Sequence, residues 1–232
     1  MKNKPILITG CARSGTSMTA GIISLSGAFG GDTSGSTRYN QKGMFENGII
    51  RQNFVKPFLR SMNVDSLGQH PLPDIDEVKL ITNEFVEKWR CNILAVMKKQ
   101  KYNGKDLWYY KGAKICLVWP LWHRAFPKAQ WIIVRRNSSD IVRSCMKTGF
   151  MRAYKRPEGW LKWVDTHKDR FLEMEEAGCN IQYIWPQKMI DFDLSEIKAV
   201  IDHLGLKWDK EQVEKFIEPA YWSGGQSNGK SN

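Results

Sequence analysis

Metal-ligating residues are scarce in this chain. Its only histidines are His70, His123, His167 and His203, and no two stand at the helical spacing of a ligand pair. The cysteines are odd in number (Cys11, Cys91, Cys116, Cys145, Cys179) and form no C-x-x-C pair. This argues against a zinc framework or a disulfide scaffold and suits reduced thiols in a cytoplasmic protein. Long apolar runs are also missing. None approaches the roughly 18 residues of a membrane span, and the one that follows Met1-Lys2-Asn3-Lys4 is too short for a signal peptide. Acids are in deficit: Lys+Arg 35 against Asp+Glu 24 leaves a net charge of +11. Such a surplus suits an anionic ligand, nucleic acid or a membrane surface. Because the basic residues are spread along the chain, a nucleic-acid-binding arm is disfavoured. No internal repeat occurs.

What is present is organised around residues 5–17, Pro5-Ile6-Leu7-Ile8-Thr9-Gly10-Cys11-Ala12-Arg13-Ser14-Gly15-Thr16-Ser17. Ile6 to Ile8 read as a buried strand, Gly10 to Ser14 as a tight loop, and the residues from Gly15 to about Gly27 as a helix with Met18, Ile22, Ile23 and Leu25 inward. A strand, a small-residue loop and a helix N-terminus converge backbone N–H groups and dipole on one point, which makes an anion site. The spacing is close to the phosphate loop G-x4-G-K-[ST]. However, Thr16 stands where such enzymes carry their lysine, and the loop's only cation is Arg13. A turn without a ligand is the plain alternative. Cys11 reads more simply as a small residue fitting a tight loop than as a reactive thiol.

Further along, residues 30–43 form a Gly/Ser/Thr/Asp-rich loop that leads into Asn40 to Glu46. Helical periodicity follows, broken or kinked near Pro57, and residues 63–73 form a second loop holding His70. A long amphipathic helix is expected from Asp74 to about Lys99, with Val78, Ile81, Phe85, Trp89 and Leu94 inward. Leu107 to Tyr110 read as a strand followed at once by Lys111-Gly112-Ala113-Lys114. Helical sequence then leads to the clearest buried strand, Gln130 to Val134, which ends in Arg135-Arg136-Asn137-Ser138-Ser139-Asp140 at a helix start. Another helix, a strand from Asn180 to Trp185 and two short helices complete the chain. Residues 1–232 are expected to form one domain with a flexible tail at about 223–232. Strands alternating with helices predict an α/β fold, a three-layer sandwich around a mainly parallel sheet with P-loop-like topology. Arg13, Lys111 and Arg136 would then all stand at the carboxyl ends of strands, and Ser144 would lie in the first turns of the helix after Arg136. One cation at a strand end is usually just solvated, but three at one end would hold more than one phosphate.

In order and spacing these motifs resemble the sulfotransferase family that uses 3′-phosphoadenosine 5′-phosphosulfate (PAPS). Ala12-Arg13-Ser14-Gly15-Thr16-Ser17 is similar to its P-[KR]-S-G-T-[ST] loop. Arg136-Asn137-Ser138-Ser139-Asp140 with Ser144 is similar to its R-N-P-x-D motif with a following serine. Asn40 to Glu46 resembles N-P-K-G-[YF]-[FW]-E, and Lys111-Gly112-Ala113 resembles K-D-P or K-T-H. The helix from Leu194 to Gly205 with Leu206 is a weaker likeness to its C-terminal region.

The resemblance implies that Ala12, Arg13, Ser14, Gly15, Thr16 and Ser17 hold the 5′-phosphosulfate. It implies that Arg136 and Ser144 bind the 3′-phosphate, that Lys111 neutralises the 5′ side, and that Trp185 is the candidate at the adenine. No metal is implied. The product would be adenosine 3′,5′-bisphosphate (PAP), and the acceptor a hydroxyl on a carbohydrate, lipid or small metabolite. Arg13 and Lys111 would carry the leaving-group charge. Where K-T-H members have their histidine, this chain has Ala113, so Glu46 is the candidate base and His70 the reserve. Glu46 could instead cap the helix that starts near Asn47. The family's basic Arg-Lys-Gly closing loop has no clear counterpart in Ser223 to Lys230. Two rival readings remain. A nucleotide kinase or ATPase would need a lysine after Gly15 and a carboxylate at the end of the Trp131–Val134 strand. A polyanion- or nucleic-acid-binding module would use the abundant aromatics, although Trp89, Trp119, Trp131 and Trp163 sit at core-like positions.

Overall fold

The chain from Ile6 to Gly10 is buried at every position, as a strand covered on both faces must be. This strand, β1, lies inside a 4-stranded sheet with β2 (Tyr109–Lys111), β3 (Gln130–Val134) and β4 (Asn180–Ile184), in the order β2-β1-β3-β4. All pairs are parallel. The computed structural model describes residues 4–222, so the 223–232 tail and the Ser223 to Lys230 segment lie outside the described residues.

Side chains alternate across the sheet with a period of two. Leu7, Tyr110, Trp131 and Ile133 enter one core with Trp89, Trp122, Phe126 and Phe171. Ile6, Ile8, Tyr109, Ile132 and Val134 enter the other with Ile22, Ile23, Ile197, Ile201 and Val213. The first core is capped by helices Asn83–Lys99, Trp119–Ala125 and Pro157–Glu176. The second is capped by Thr16–Leu25, Ser195–Leu204 and Lys210–Phe216. This is the expected three-layer α/β sandwich. Trp89, Trp119, Trp131 and Trp163 are all buried, so these rings pack and are not available for stacking bases.

Register fixes where the strand exits meet. Gly10 pairs with Val134, Val134 with Ile184, and Ile8 with Lys111. From β1 the chain runs out to β2 and then returns past β1 to β3, so the order reverses at β1 and a crevice opens between the carboxyl ends of β1 and β3.

Several boundaries differ from the sequence expectation. Lys111 is the last residue of β2 and does not lie beyond it. The helix expected from Asp74 is two helices, Ile75–Lys79 and Asn83–Lys99. Thr82 starts the second, its Oγ accepting the Phe85 N–H at 3.2 Å. That restart turns the face, so Val86 is buried while Phe85 is exposed. Helical structure runs without a break through Gly48–Ile50, a π turn at Arg51–Val55 and Lys56–Ser61. Pro57 falls in the first turn of that last segment, where its missing N–H costs little. A short helix, Pro186–Ile190, follows Trp185 and was not evident from periodicity. Among the described residues no helix is long and apolar enough to cross a membrane.

The β1 exit tolerates only glycine. A Cβ on Gly10 would lie 2.5 Å from the Val134 carbonyl oxygen and 2.8 Å from the Ser14 Oγ. Gly10→Ala is therefore expected to destabilise the fold by about 1–3 kcal/mol through overpacking. Urea denaturation should show a lower midpoint at an unchanged m-value. An unchanged midpoint would mean that the two strand exits can spread to admit a methyl group.

Candidate functional site

The turn after β1 closes when the Ser14 N–H donates to the Cys11 carbonyl at 3.1 Å. Arg13 sits at φ 73, a left-handed conformation that a non-glycine side chain adopts only under constraint. Gly15, at φ 99, then caps the Thr16–Leu25 helix with no side-chain acceptor, and the helix has no acid in its first turn. Met18 and Thr19 are the amides that bond back to the Gly15 carbonyl. The helix N-terminus thus keeps its positive end without an internal counter-charge. Side chains are crowded out here as well, since a Cβ on Gly15 would lie 2.9 Å from both Pro186 and Trp222.

Two arginines lock this loop to the β3 exit. Arg13 Nε donates to Ser144 Oγ at 3.0 Å, and Arg136 Nη1 donates to the Arg13 carbonyl at 2.7 Å. Arg136 is buried, and its Nε and Nη2 have no hydrogen-bond partner among the described residues. Burial pulls its pKa down to about 10, opposed by Asp140 and reinforced by Arg13 and Arg143. Burial likewise lowers that of Arg13. One face of the Arg136 guanidinium is covered by Trp222, whose ring centroid lies 4.0 Å from the guanidinium carbon. The Trp222 indole N–H is held by Gln187 Oε1 at 2.8 Å.

Lys111 and Glu46 form the other half. Both are buried. Glu46 Oε2 lies 3.9 Å from Lys111 Nζ and 3.9 Å from Arg51 Nη1, while Oε1 is buried with no hydrogen-bond partner of good geometry among the described residues, and the Tyr110 hydroxyl interacts with the same carboxylate. Desolvation lowers the Lys111 pKa, and the Glu46 carboxylate opposes that shift. The preceding residue, Phe45, is left-handed at φ 51. The cap of the following helix is Asn47, whose Oδ1 accepts the Ile50 N–H at 3.2 Å. Glu46 is therefore not needed as a cap, and it lines the cleft instead.

Most of the residues singled out from sequence meet in one cleft of ≈ 680 Å³. Ala12, Arg13, Gly15, Thr16 and Ser17 line it from the β1 side, Glu46 and Lys111 from another, and Arg136 and Ser144 from the β3 side. Ser14 is fully buried beneath the loop, its Oγ without a partner among the described residues. Trp185 does not line the cleft. Its ring lies 6.0 Å from the Arg135 guanidinium, and its N–H donates to Glu196. His70 stands outside the cleft too, packed on Tyr154 at 5.4 Å. Cys11 is buried, and burial holds its thiol well above the ordinary range, so it is no nucleophile at neutral pH. Among the described residues no group of three or more His, Cys, Asp or Glu is placed to hold a metal.

Sequence reasoning missed Trp222, Arg51, Lys56 and Lys114, all of which line the cleft. Trp222 carries no local signal, because it reaches the site only through the path of the C-terminal segment. Arg51 was within reach of inspection, five residues past Glu46 in a helical stretch.

The cleft volume is that of a small-molecule site. Unpaired N–H groups on Arg136 and a bare helix N-terminus are two separate places for negative charge. The site therefore fits a ligand with two anionic groups, and the orphaned Arg136 edge fits phosphate oxygens.

No protein-family model matches the chain, and no curated protein sequence does. Solved structures do match in three dimensions. The sulfotransferase domain of the Synechococcus PCC 7002 olefin synthase superposes with a TM-score of 0.60 at 12% identity, covering 94% of this chain and 86% of that one. The sulfotransferase domain from the curacin biosynthetic pathway gives 0.59 at 13% identity, covering 96% and 81%. Sulfotransferase STF1 from Mycobacterium tuberculosis H37Rv gives 0.52 at 12% identity, covering 91% and 70%. With so few shared residues the likeness is one of backbone architecture: the chain has the fold of sulfotransferase domains.

Proposed function

We propose that the protein is a sulfotransferase that moves the sulfuryl group of PAPS to an acceptor hydroxyl. The observation that carries this reading is Arg136. A buried guanidinium tied to the Arg13 carbonyl, with Nε and Nη2 unsatisfied among the described residues, is costly to maintain without an anion to receive them. It is linked to Ser144 through Arg13, lines the same cleft, and is one loop away from the bare helix N-terminus, which suits a nucleotide with a 3′-phosphate as well as a 5′-phosphate. A kinase or ATPase is disfavoured by Thr16 in the lysine position and by Arg135-Arg136 where β3 would end in a metal-holding acid. A stacking module for nucleic acid is disfavoured by the burial of Trp89, Trp119, Trp131 and Trp163.

The loop amides, Thr16 and Ser17 would hold the 5′ side of the cofactor, Arg136 and Ser144 the 3′-phosphate, and Trp222 offers an aromatic face nearer the loop than Trp185 does. When bound, PAPS supplies the sulfuryl group for in-line displacement and departs as PAP. Arg13 and Lys111 place positive charge where negative charge grows on the leaving phosphate. The Glu46 carboxylate, which lines the cleft, accepts the proton of the attacking hydroxyl. Lys111 and Arg51 orient Glu46 through Oε2.

Three outcomes are expected. In calorimetry the protein should bind PAP at least about tenfold tighter than AMP, because charge-assisted hydrogen bonds contribute roughly 1.5–3 kcal/mol each. Arg136→Ala should remove most of that preference, and equal affinities in the unaltered protein would overturn the reading. Arg13→Ala should lower kcat by more than it weakens PAP binding, while Arg13→Lys keeps partial activity. Normal turnover with a raised KM alone would make Arg13 a ground-state binding group. Finally, Glu46→Gln should slow single-turnover transfer by about a hundredfold or more at unchanged PAP affinity. A loss below about tenfold would assign Glu46 to balancing the charges of Lys111 and Arg51.

A further inference from the structure

Beyond the atoms that would hold PAPS, the cleft carries a second group of cations. It continues past Lys111 to Lys114, Arg51 and Lys56, and an apolar wall is added by Leu67 and Phe150. Arg51 and Lys56 owe their neighbourhood to the π turn. The Lys56 N–H bonds to the Arg51 carbonyl, five residues back, which stacks the two residues one turn apart on the helical run. Lys114 is placed by a bare backbone: a Cβ on Gly68 would lie 2.9 Å from its Cγ.

These cations outnumber their counter-charge. Neither the Lys56 nor the Lys114 ammonium makes a hydrogen bond or ion pair with a described residue. The carboxylates lining the cleft among the described residues are Glu46 and Glu218. Glu46 already serves Lys111 and Arg51 through one oxygen, and Glu218 accepts the Ala220 N–H at the far end of the chain. Burial lowers the Lys56 pKa first, repulsion by Lys114, Arg51 and Arg60 lowers it further, and Glu46 opposes them. A cation group that repels itself inside a cleft gains most from an anion placed among it.

We infer that the acceptor is itself an anion: a hydroxyl-bearing molecule whose carboxylate, phosphate or sulfate is held by Arg51, Lys56 and Lys114 while its hydroxyl reaches Glu46. This rests on the sulfuryl-transfer reading above, in which the loop, Arg136 and Lys111 answer the charges of the cofactor. The second cation group is then left for the other substrate. Leu67 and Phe150, both partly exposed, would contact the acceptor's body.

The test uses the protein saturated with PAP and three matched pairs of probes, each an acid and its primary amide: 3-hydroxydecanoate, 4-hydroxyphenylacetate and glucuronate. Calorimetry should show at least one acid binding about tenfold or more tighter than its amide, the effect of a charge-assisted contact. Lys56→Gln and Lys114→Gln should each shrink that ratio to within about threefold while leaving PAP affinity unchanged. Either variant alone suffices if the other fails to fold. The inference is overturned if PAP binds and no acid outbinds its amide, or if the ratio survives in both variants. A protein that does not bind PAP at all would instead overturn the underlying sulfuryl-transfer reading.

Discussion

The site depends on one hydrogen bond, from Arg136 Nη1 to the Arg13 carbonyl at 2.7 Å. It joins the exits of β1 and β3, two strands already in register from Ile6–Gln130 to Gly10–Val134. Sheet register sets the height of the two exits, and this bond sets the separation of the loops that leave them. It also explains the left-handed Arg13. Turning that residue's carbonyl toward Arg136 while its side chain reaches Ser144 requires a backbone conformation outside the usual regions.

Electrostatics at the strand exits run against the preference of a protein interior. Arg13, Lys111 and Arg136 are drawn out of water, and burial depresses the pKa of each. The Glu46 carboxylate offsets this only for Lys111, and no acid forms an ion pair with Arg136 among the described residues. Such an arrangement lowers the stability of the empty fold and raises the affinity for an anion that completes it. The two tightly packed cores on either side of the sheet, rich in buried Trp, Tyr and Ile, supply the stability that the site gives up.

The fold was legible because its signals are local. Apolar strands followed by glycine or basic residues, and helices with a 3.6-residue period, mark βα units directly in the sequence. The half of the cleft at the strand exits was legible for the same reason, since Arg13, Lys111 and Arg136 each follow or end a strand that can be read. The rest depends on tertiary path. Trp222 comes to Arg136 only because the C-terminal segment folds back over Pro186, and no periodicity announces that. The exchange of Phe85 for Val86 in the core came from a helix restart at Thr82. Lys56 and Arg51 share a turn only because the helix is locally wound as a π turn, which a 3.6-residue template misplaces.

The all-parallel order β2-β1-β3-β4 has a kinetic consequence. Residues 13, 46, 111, 136 and 222 meet at one cleft, so no short fragment of the chain contains it. β1 cannot pair with β2 until Tyr109 has been made, nor with β3 until Gln130 has. Non-local parallel pairing of this kind slows folding, because loop closure precedes the contacts that reward it. During synthesis β1 must therefore wait, apolar and unpaired, for about a hundred further residues before β2 is made. The strand made earliest of the four is completed late as part of the cleft, and a ligand there can stabilise the protein only after β1 and β3 have paired.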